Sequence, residues 1–331
     1  MKTAKHIERL RHIVNQFPEI TITVLCDLVA DEFIFGEISR VSREAPVLIL
    51  KHRERTVVPG GGANAVYNLA DLGVNVLPVG VVGNDEPGRL LLQRFKQKHI
   101  PLSGIQKSRE YSTVTKTRVL AGMAHTTRQQ VVRYDYEPAA PPAPRTVREL
   151  VLSARKFVRA SDAVLVSDYG YGAATPEILK LINTGDIPVT VDSRYRMLDF
   201  IGLTAATPNE PEVEEALGVK IGHDLEKLHW AANELMKRMK LDSVVITRGR
   251  DGMLALEKKH KPVEIPIYGS DQVTDVTGAG DTVIATFTAA LAAGASTEEA
   301  ARLANYAGGI VVMKRGTATV TRAELLDAIG T

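Results

Sequence analysis

The chain has 331 residues, with 41 Lys and Arg against 39 Asp and Glu, a formal net charge of +2 and 44% hydrophobic residues. Charge so nearly balanced gives no electrostatic reason to expect nucleic acid or an anionic membrane as partner, although a local pocket for a small anion does not show in a global sum. The single cysteine, Cys26, excludes an intrachain disulfide, and a chain of this length buries enough apolar surface to need neither disulfide nor metal as a staple.

The opening MKTAKHIERLRHIVNQF lacks the continuous apolar run of a signal peptide. Ile7, Leu10, Ile13, Val14 and Phe17 recur at helical spacing instead, which with the lone thiol predicts a cytoplasmic protein. TITVLCDL reads as a buried strand, so Cys26 is expected to be an inert buried thiol. Residues 33–58, around EAPVLILKHRERTVV, alternate polar with apolar as half-exposed antiparallel strands do. Pro59-Gly60-Gly61-Gly62-Ala63-Asn64 then opens a helix over 63–72. The strand VLPVGVVG and a helix over 88–98 follow. A second alternating segment, 111–136, reads TVTKTRVLAG, a turn, then TRQQVVRYDY. PAAPPAP at 138–144 is a stiff extended connector.

Beyond it come a helix over 145–159, the strand AVLVSDY, a helix over 175–182, the strand PVTVD, a helix over 226–239 and the strand SVVITRG. Strand alternating with helix predicts a mostly parallel sheet covered on both faces, with ligands beyond the carboxyl ends of the strands. The two alternating segments predict a small accessory sheet folded over that site. The longest weakly polar run, 283–295, is too short to span a bilayer.

The strongest local signal is Asp275-Val276-Thr277-Gly278-Ala279-Gly280-Asp281, running directly into TVIATFTAALAAG. Glycines let backbone N–H groups approach an anion without a side chain intervening. The first N–H groups of a helix lack intrahelical partners and carry the positive end of its dipole. Together they make an anion site, and Asp281 at the same helix start can accept a proton from a hydroxyl. On residue types alone, a plain turn with a helix cap fits equally well.

DVTGAGD resembles the signature of the PfkB/ribokinase family of carbohydrate kinases. The resemblance covers nearly the whole chain. It implies a single ribokinase-like α/β domain over 1–331, a three-layer sandwich with a mostly parallel central sheet, and a β-lid formed by 33–58 and 111–137. It implies that Asp281 is the catalytic base and that Gly278, Ala279 and Gly280 stabilise the transferring phosphoryl group. Pro59 to Asn64 resembles the family's N-terminal glycine signature, so Gly60, Gly61 and Asn64 would close on the sugar. Asp31 would hold sugar hydroxyls, with Asp27 as its structural neighbour. Asn209-Glu210-Pro211-Glu212 resembles the Asn-x-x-Glu element, in which Asn209 and Glu212 act on Mg²⁺ largely through bound waters. Thr247, Gly249 and Gly252 would face the nucleotide, with Arg248 as a candidate cation. Asn305 and the KRGTATV stretch would line the base. ATP is the implied donor, and potassium near the DVTGAGD loop is an open further ion.

Ser39 to Val47, Thr115 to Val119, Arg133 to Glu137 and Ser167-Asp168-Tyr169 are similar to the D-glycero-D-manno-heptose-7-phosphate kinase branch. A sugar that already carries phosphate needs cations, which Lys116, Arg118, Arg133 and Arg194 could supply. The same charges also fit solvated strands. Tyr171 stands where the branch usually has lysine, Asp192-Ser193-Arg194 where it has Asp-Pro-Lys, and Cys26 where it has glycine. The acceptor therefore stays open between the C1 hydroxyl of a heptose 7-phosphate and another sugar, sugar phosphate or nucleoside; a non-catalytic sugar or nucleotide sensor is the reading from another class. The chain holds no Walker A pattern, no Cys/His cluster for zinc and no HxGH nucleotidyltransferase motif. Sugar or sugar phosphate and ATP are the expected partners, with a homodimer through the β-lid.

Overall fold

A computed structural model describes residues 2–123, 128–269, 275–314 and 316–330. The turn of the second lid segment, at 124–127, and Arg315 of the KRGTATV stretch lie outside the described residues. The chain runs α1 (Lys2–Gln16), β1 (Thr21–Cys26), β2 (Leu28–Val41), β3 (Leu48–Gly61), α2 (Gly62–Asp71), β4 (Asn75–Gly83), α3 (Glu86–Gln97), β5 (Ile105–Ser108), β6 (Val114–Gly122) and β7 (Gln129–Tyr136). It continues with α4 (Pro144–Val158), β8 (Ala163–Asp168), α5 (Pro176–Lys180), β9 (Val189–Ser193), β10 (Ala205–Ala206), α6 (Glu210–Leu217), α7 (Leu225–Met239) and β11 (Ser243–Thr247). β12 (Met253–Glu257), β13 (Val263–Ile265), α8 (Ala279–Ala292), α9 (Thr297–Val311) and α10 (Arg322–Gly330) complete it.

Among the described residues the strands form a nine-stranded sheet, in the order β13-β12-β11-β10-β9-β8-β1-β4-β5, and a four-stranded sheet, β3-β2-β6-β7. The large sheet is parallel from β5 to β11, and β12 and β13 add an antiparallel edge. Successive strand side chains alternate between two cores. Ile22, Val24 and Leu165 join α1, α2, α3, α8, α9 and α10 on one face. Leu25, Val164 and Val166 join α4, α5, α6 and α7 on the other. This is the expected three-layer α/β sandwich. α8 is apolar all round and buried from Asp281 to Ala290, as a central helix must be. No helix among the described residues is long and apolar enough to cross a membrane.

The lid strands reach further than the alternation pattern suggests. β2 leaves β1 after a single residue, Asp27, and pairs with β3 from Leu28↔Gly61 outward. The inner rungs involve Pro59, Gly60 and Gly61, which carry no alternation for a pattern to register. β7 forms the outer edge, and all eight of its residues are exposed.

Gly252 shows how tightly the antiparallel edge closes. Its φ is +78°, and a Cβ there would lie 2.1 Å from the Ile265 carbonyl oxygen. Gly252→Ala is therefore expected to destabilise the fold by about 2 kcal/mol or more, read as a lower urea midpoint at unchanged slope.

Candidate active site

Gly278 precedes α8 in the left-handed conformation, φ +79°, which turns the chain sharply into the helix. A Cβ at Gly278 would sit 2.5 Å from Asn64 Nδ2, whereas a Cβ at Gly280 would meet nothing within 4 Å. Gly280 therefore faces open space, and the helix start and its dipole favour an anion there, although the expected Ala279 N–H is not free: it donates to the Val276 carbonyl at 3.2 Å. The loop before it is tied down by Asp275, whose carboxylate accepts from Thr277 N at 2.9 Å and Gly316 N at 3.0 Å.

Asp281, in the first turn of α8, is only 3% exposed. Oδ1 accepts from Tyr169 Oη at 2.8 Å and Oδ2 from Asn64 Nδ2 at 3.1 Å. Burial pushes its pKa up to about 7, against the pull of those two hydrogen bonds; Asp31 adds to the rise and Lys116 opposes it. A base of this kind is ionised near neutrality yet still basic enough to take a proton. Asn64 also donates to the Gly278 carbonyl at 3.3 Å. One turn on, Asn68 donates to Asn64 O at 3.0 Å and accepts from Thr282 Oγ1 at 3.0 Å and Val320 N at 3.3 Å. This buried polar chain locks α2 to the start of α8, each group satisfied in the low-dielectric interior.

Asp31, on β2, lies beside this centre. Its carboxylate accepts from Arg118 Nη1 at 2.7 Å and Thr317 Oγ1 at 3.0 Å. Gly60 faces it so closely that a Cβ would come within 2.5 Å of the carboxyl group. Gly61, at φ +50°, leaves the same kind of space against Val29 and the Tyr169 ring. Asp27 is structural, as expected: its buried carboxylate accepts from the N–H groups of Tyr169, Tyr171 and Ala173 at 2.8–2.9 Å.

The four candidate cations divide. Arg118 is held by Asp31 and lies over the Phe33 ring, with 5.5 Å from Cζ to the centroid. Arg133 is exposed and paired bidentately with Asp135. Lys116 is 9% exposed and forms no ion pair with a described carboxylate; its Nζ lies 5.2 Å from the Tyr169 ring centroid. Burial lowers its pKa, and Arg133 and Arg194 lower it further. Arg194 is placed with the helix start: it lines a cavity of about 220 Å³ together with Gly278, Gly280 and Asp281.

The same cavity gathers Asn209, Glu212 and Thr247, as the Asn-x-x-Glu reading requires, and adds Asp192. Asn209 and Glu212 also close a capping box at the start of α6, each accepting from the other's backbone N–H at 2.9 Å. Glu212 is pushed up chiefly by burial, and Asp192 by burial and then by Glu212. Among the described residues no three His, Cys, Asp or Glu groups cluster to hold a metal directly. Two buried carboxylates, both pushed up by burial, and Thr207 Oγ1, without a partner among the described residues, instead fit a hydrated cation in this cavity.

Three nucleotide-side candidates do not line this cavity. Gly249 opens a short turn, Gly252 serves the sheet edge, and Asn305 donates to Pro266 O at 2.8 Å, tying α9 to the preceding loop. Arg248 is not a free cation: it is buried against Glu210 at 2.7 Å, because the acidic first turn of α6 supplies a partner. Three site residues had no role of their own in the sequence reading: Tyr169 and Asp192 entered it only within branch motifs, and Thr317 only within the KRGTATV stretch expected at the base. Tyr169, Asp192 and Thr317 are ordinary residue types at strand ends or in a loop, and only long-range packing brings them in.

Holding Asp281 in this environment has a stability consequence. Its pKa rises from 3.8 to about 7 on folding, so the folded state loses stability as pH rises through that window. Asp281→Asn is expected to raise the melting temperature at pH 8, with the gain disappearing toward pH 4; an equal gain at both pH values would contradict the assignment.

The pfkB family carbohydrate kinase profile matches residues 28–324. Bifunctional protein HldE of Pelobacter propionicus is 38% identical over 325 residues, covering 97% of this chain and 65% of that protein. Bifunctional protein HldE of Gluconobacter oxydans is 39% identical over 319 residues, covering 95% and 65%. The chain thus spans just under two thirds of these relatives' length. Among solved structures, Arabidopsis thaliana ribokinase complexed with ribose and ATP matches with a TM-score of 0.74 at 20% identity, covering 94% of this chain and 99% of that one. Phosphofructokinase-2 from Escherichia coli matches in complex with potassium and in complex with fructose-6-phosphate, with TM-scores of 0.73 and 0.72 at 17% identity, covering 94% and 98%. The structural likeness carries the fold, and the profile with the HldE relatives carries the family: the chain belongs to the pfkB family of carbohydrate kinases.

Proposed function

We propose that the protein transfers the γ-phosphate of ATP to a sugar hydroxyl, and that its acceptor is the C1 hydroxyl of D-glycero-D-manno-heptose 7-phosphate. The carrying observation is the juxtaposition of a buried carboxylate, Asp281, with an open helix start in one cavity. Each Asp281 oxygen accepts one described hydrogen bond and keeps a second lone-pair direction for the acceptor hydroxyl. As that oxygen bonds to the γ-phosphorus, its proton passes to Asp281, the bond to the β-phosphate oxygen breaks and ADP leaves. The N–H groups of Gly278 and Gly280 and the Arg194 guanidinium would face the charge that spreads over the transferring group, whereas Ala279 N is engaged by the Val276 carbonyl at 3.2 Å. Mg²⁺ would sit with Glu212 and Asn209, largely through water, and neutralise phosphate charge there. A potassium site is not part of the proposal.

Lys116 supports a phosphorylated or otherwise anionic acceptor. A buried amine pressed by two arginines, with Asp31 and Asp135 opposing but no carboxylate paired with it among the described residues, is relieved by an anion. The HldE relatives and the similarity to the heptose-phosphate branch favour the heptose. The wholly exposed edge strand β7 carries Val131, Val132, Tyr134 and Tyr136. An open apolar edge of this kind favours pairing with a second copy through the lid.

Asp281→Asn is expected to lower kcat by about 10²–10⁴-fold, scored as ADP release, with ATP affinity retained in calorimetry. Heptose 7-phosphate should be turned over far better than the unphosphorylated heptose; equal use of both would remove the phosphate from recognition. Light scattering should give twice the chain mass, and a single-chain mass would remove the lid-paired dimer.

A further inference from the structure

The phosphotransfer reading gives Tyr169 no task, yet its hydroxyl is one of the two described donors to Asp281. The loop that carries it is pinned from both ends. Asp27 accepts from three of its N–H groups, at Tyr169, Tyr171 and Ala173. Asp168 accepts from Gly170 N at 3.0 Å while gripping Ser193 Oγ at 2.7 Å and Arg196 through two nitrogens at 2.9 and 2.7 Å. Gly170 and Gly172, at φ +83° and +94°, let the backbone present its N–H groups inward. The ring has as little freedom as the backbone. A Cβ on Gly61 would lie 3.2 Å from its Cε2, and Lys116 Nζ stands over its face.

We propose that Tyr169 is a positioning residue for the base: its hydroxyl, held by the aspartate-pinned loop, fixes the Asp281 carboxylate so that a lone pair stays directed at the acceptor. This rests on the kinase reading above. Asn64 holds the other oxygen from α2, so the carboxylate is clamped from two separate elements. A carboxylate gripped at both oxygens cannot turn about its terminal torsion, and the base meets the hydroxyl already oriented. Other charged and titratable groups around Asp281 are Asp31 from β2, Lys116 from β6, Asp192 from β9 and the Cys26 thiol from β1, with Asp168, Arg194 and Glu212 lining the same cavity. None of these donates a hydrogen bond to it among the described residues, so the phenol and the Asn64 amide carry the orientation.

The test is Tyr169→Phe, which removes the hydroxyl and keeps the ring. A lost donor disfavours the ionised carboxylate, so the acid limb of kcat/KM should move to higher pH by about one unit. kcat should fall about 10–100-fold, with KM for ATP within about twofold. A 3-fluorotyrosine at 169, a stronger donor, should move the limb the other way, and this variant decides if the phenylalanine variant does not fold. Titration of ¹³C-labelled aspartate carboxyls by NMR, with Asp281 assigned through Asp281→Asn, reads the same shift without substrate. If no sugar is turned over by the wild-type chain, the kinase reading fails while the NMR titration still decides the role of Tyr169. An Asp281 titration unmoved in both variants would overturn the proposal, as would unchanged kcat and pH profile in Tyr169→Phe.

Discussion

A negative charge buried at the positive end of a helix is the interaction on which the rest of this site depends. Asp281 sits in the first turn of α8 with almost no solvent contact. Water cannot stabilise the carboxylate there, so two hydrogen bonds and the helix start must do so. One bond comes from α2, which the accessory-sheet strand β3 delivers, and the other from the loop after β8 of the large sheet, so the two sheets converge on Asp281. The fold and the base are in this sense one arrangement. Displacing either partner leaves the charge insufficiently compensated, and the group responds by holding its proton.

The surrounding residues divide into those that hold the site and those that face its contents. Asp27, Asp168, Asn68 and Asp275 are fully engaged with backbone or neighbouring side chains and keep loops in place. Asp192, Glu212, Arg194 and Thr207 line a cavity in which like charges crowd and one hydroxyl is without a partner. Crowding of that kind costs stability in the free protein and is relieved by ligands. Lys116 is under the same kind of pressure, a buried amine crowded by Arg133 and Arg194.

The strand–turn–helix at 275–281 was legible because each of its ingredients is local: glycines that turn, a carboxylate in the first helical turn, an apolar helix behind. The alternation of strand and helix likewise announced the parallel sheet. Legibility stopped where function depends on partners far apart in sequence. Nothing near Arg118 indicates that Asp31, 87 residues away, will hold it, or that Tyr169 will find Asp281 across 112 residues. Arg248 read as a candidate cation for the nucleotide, and nothing near it in sequence announces that Glu210, in the first turn of α6, pairs with it. Gly252 is legible as a turn former, but the carbonyl that excludes any side chain there belongs to Ile265, 13 residues on.

The short junction between the large sheet and the lid has a mechanical consequence. Only Asp27 separates β1 from β2, and that residue is itself pinned by three N–H groups. The lid therefore has no slack tether at its root on which to swing. Its first interruptions of the ladder are the register shifts at Phe35/Gly36 and Ile38/Arg40, near the glycine that packs on Leu50. Flexure belongs in that outer half, as in a diving board clamped at one end, while Asp31 and Lys116 near the clamp keep their places relative to the base.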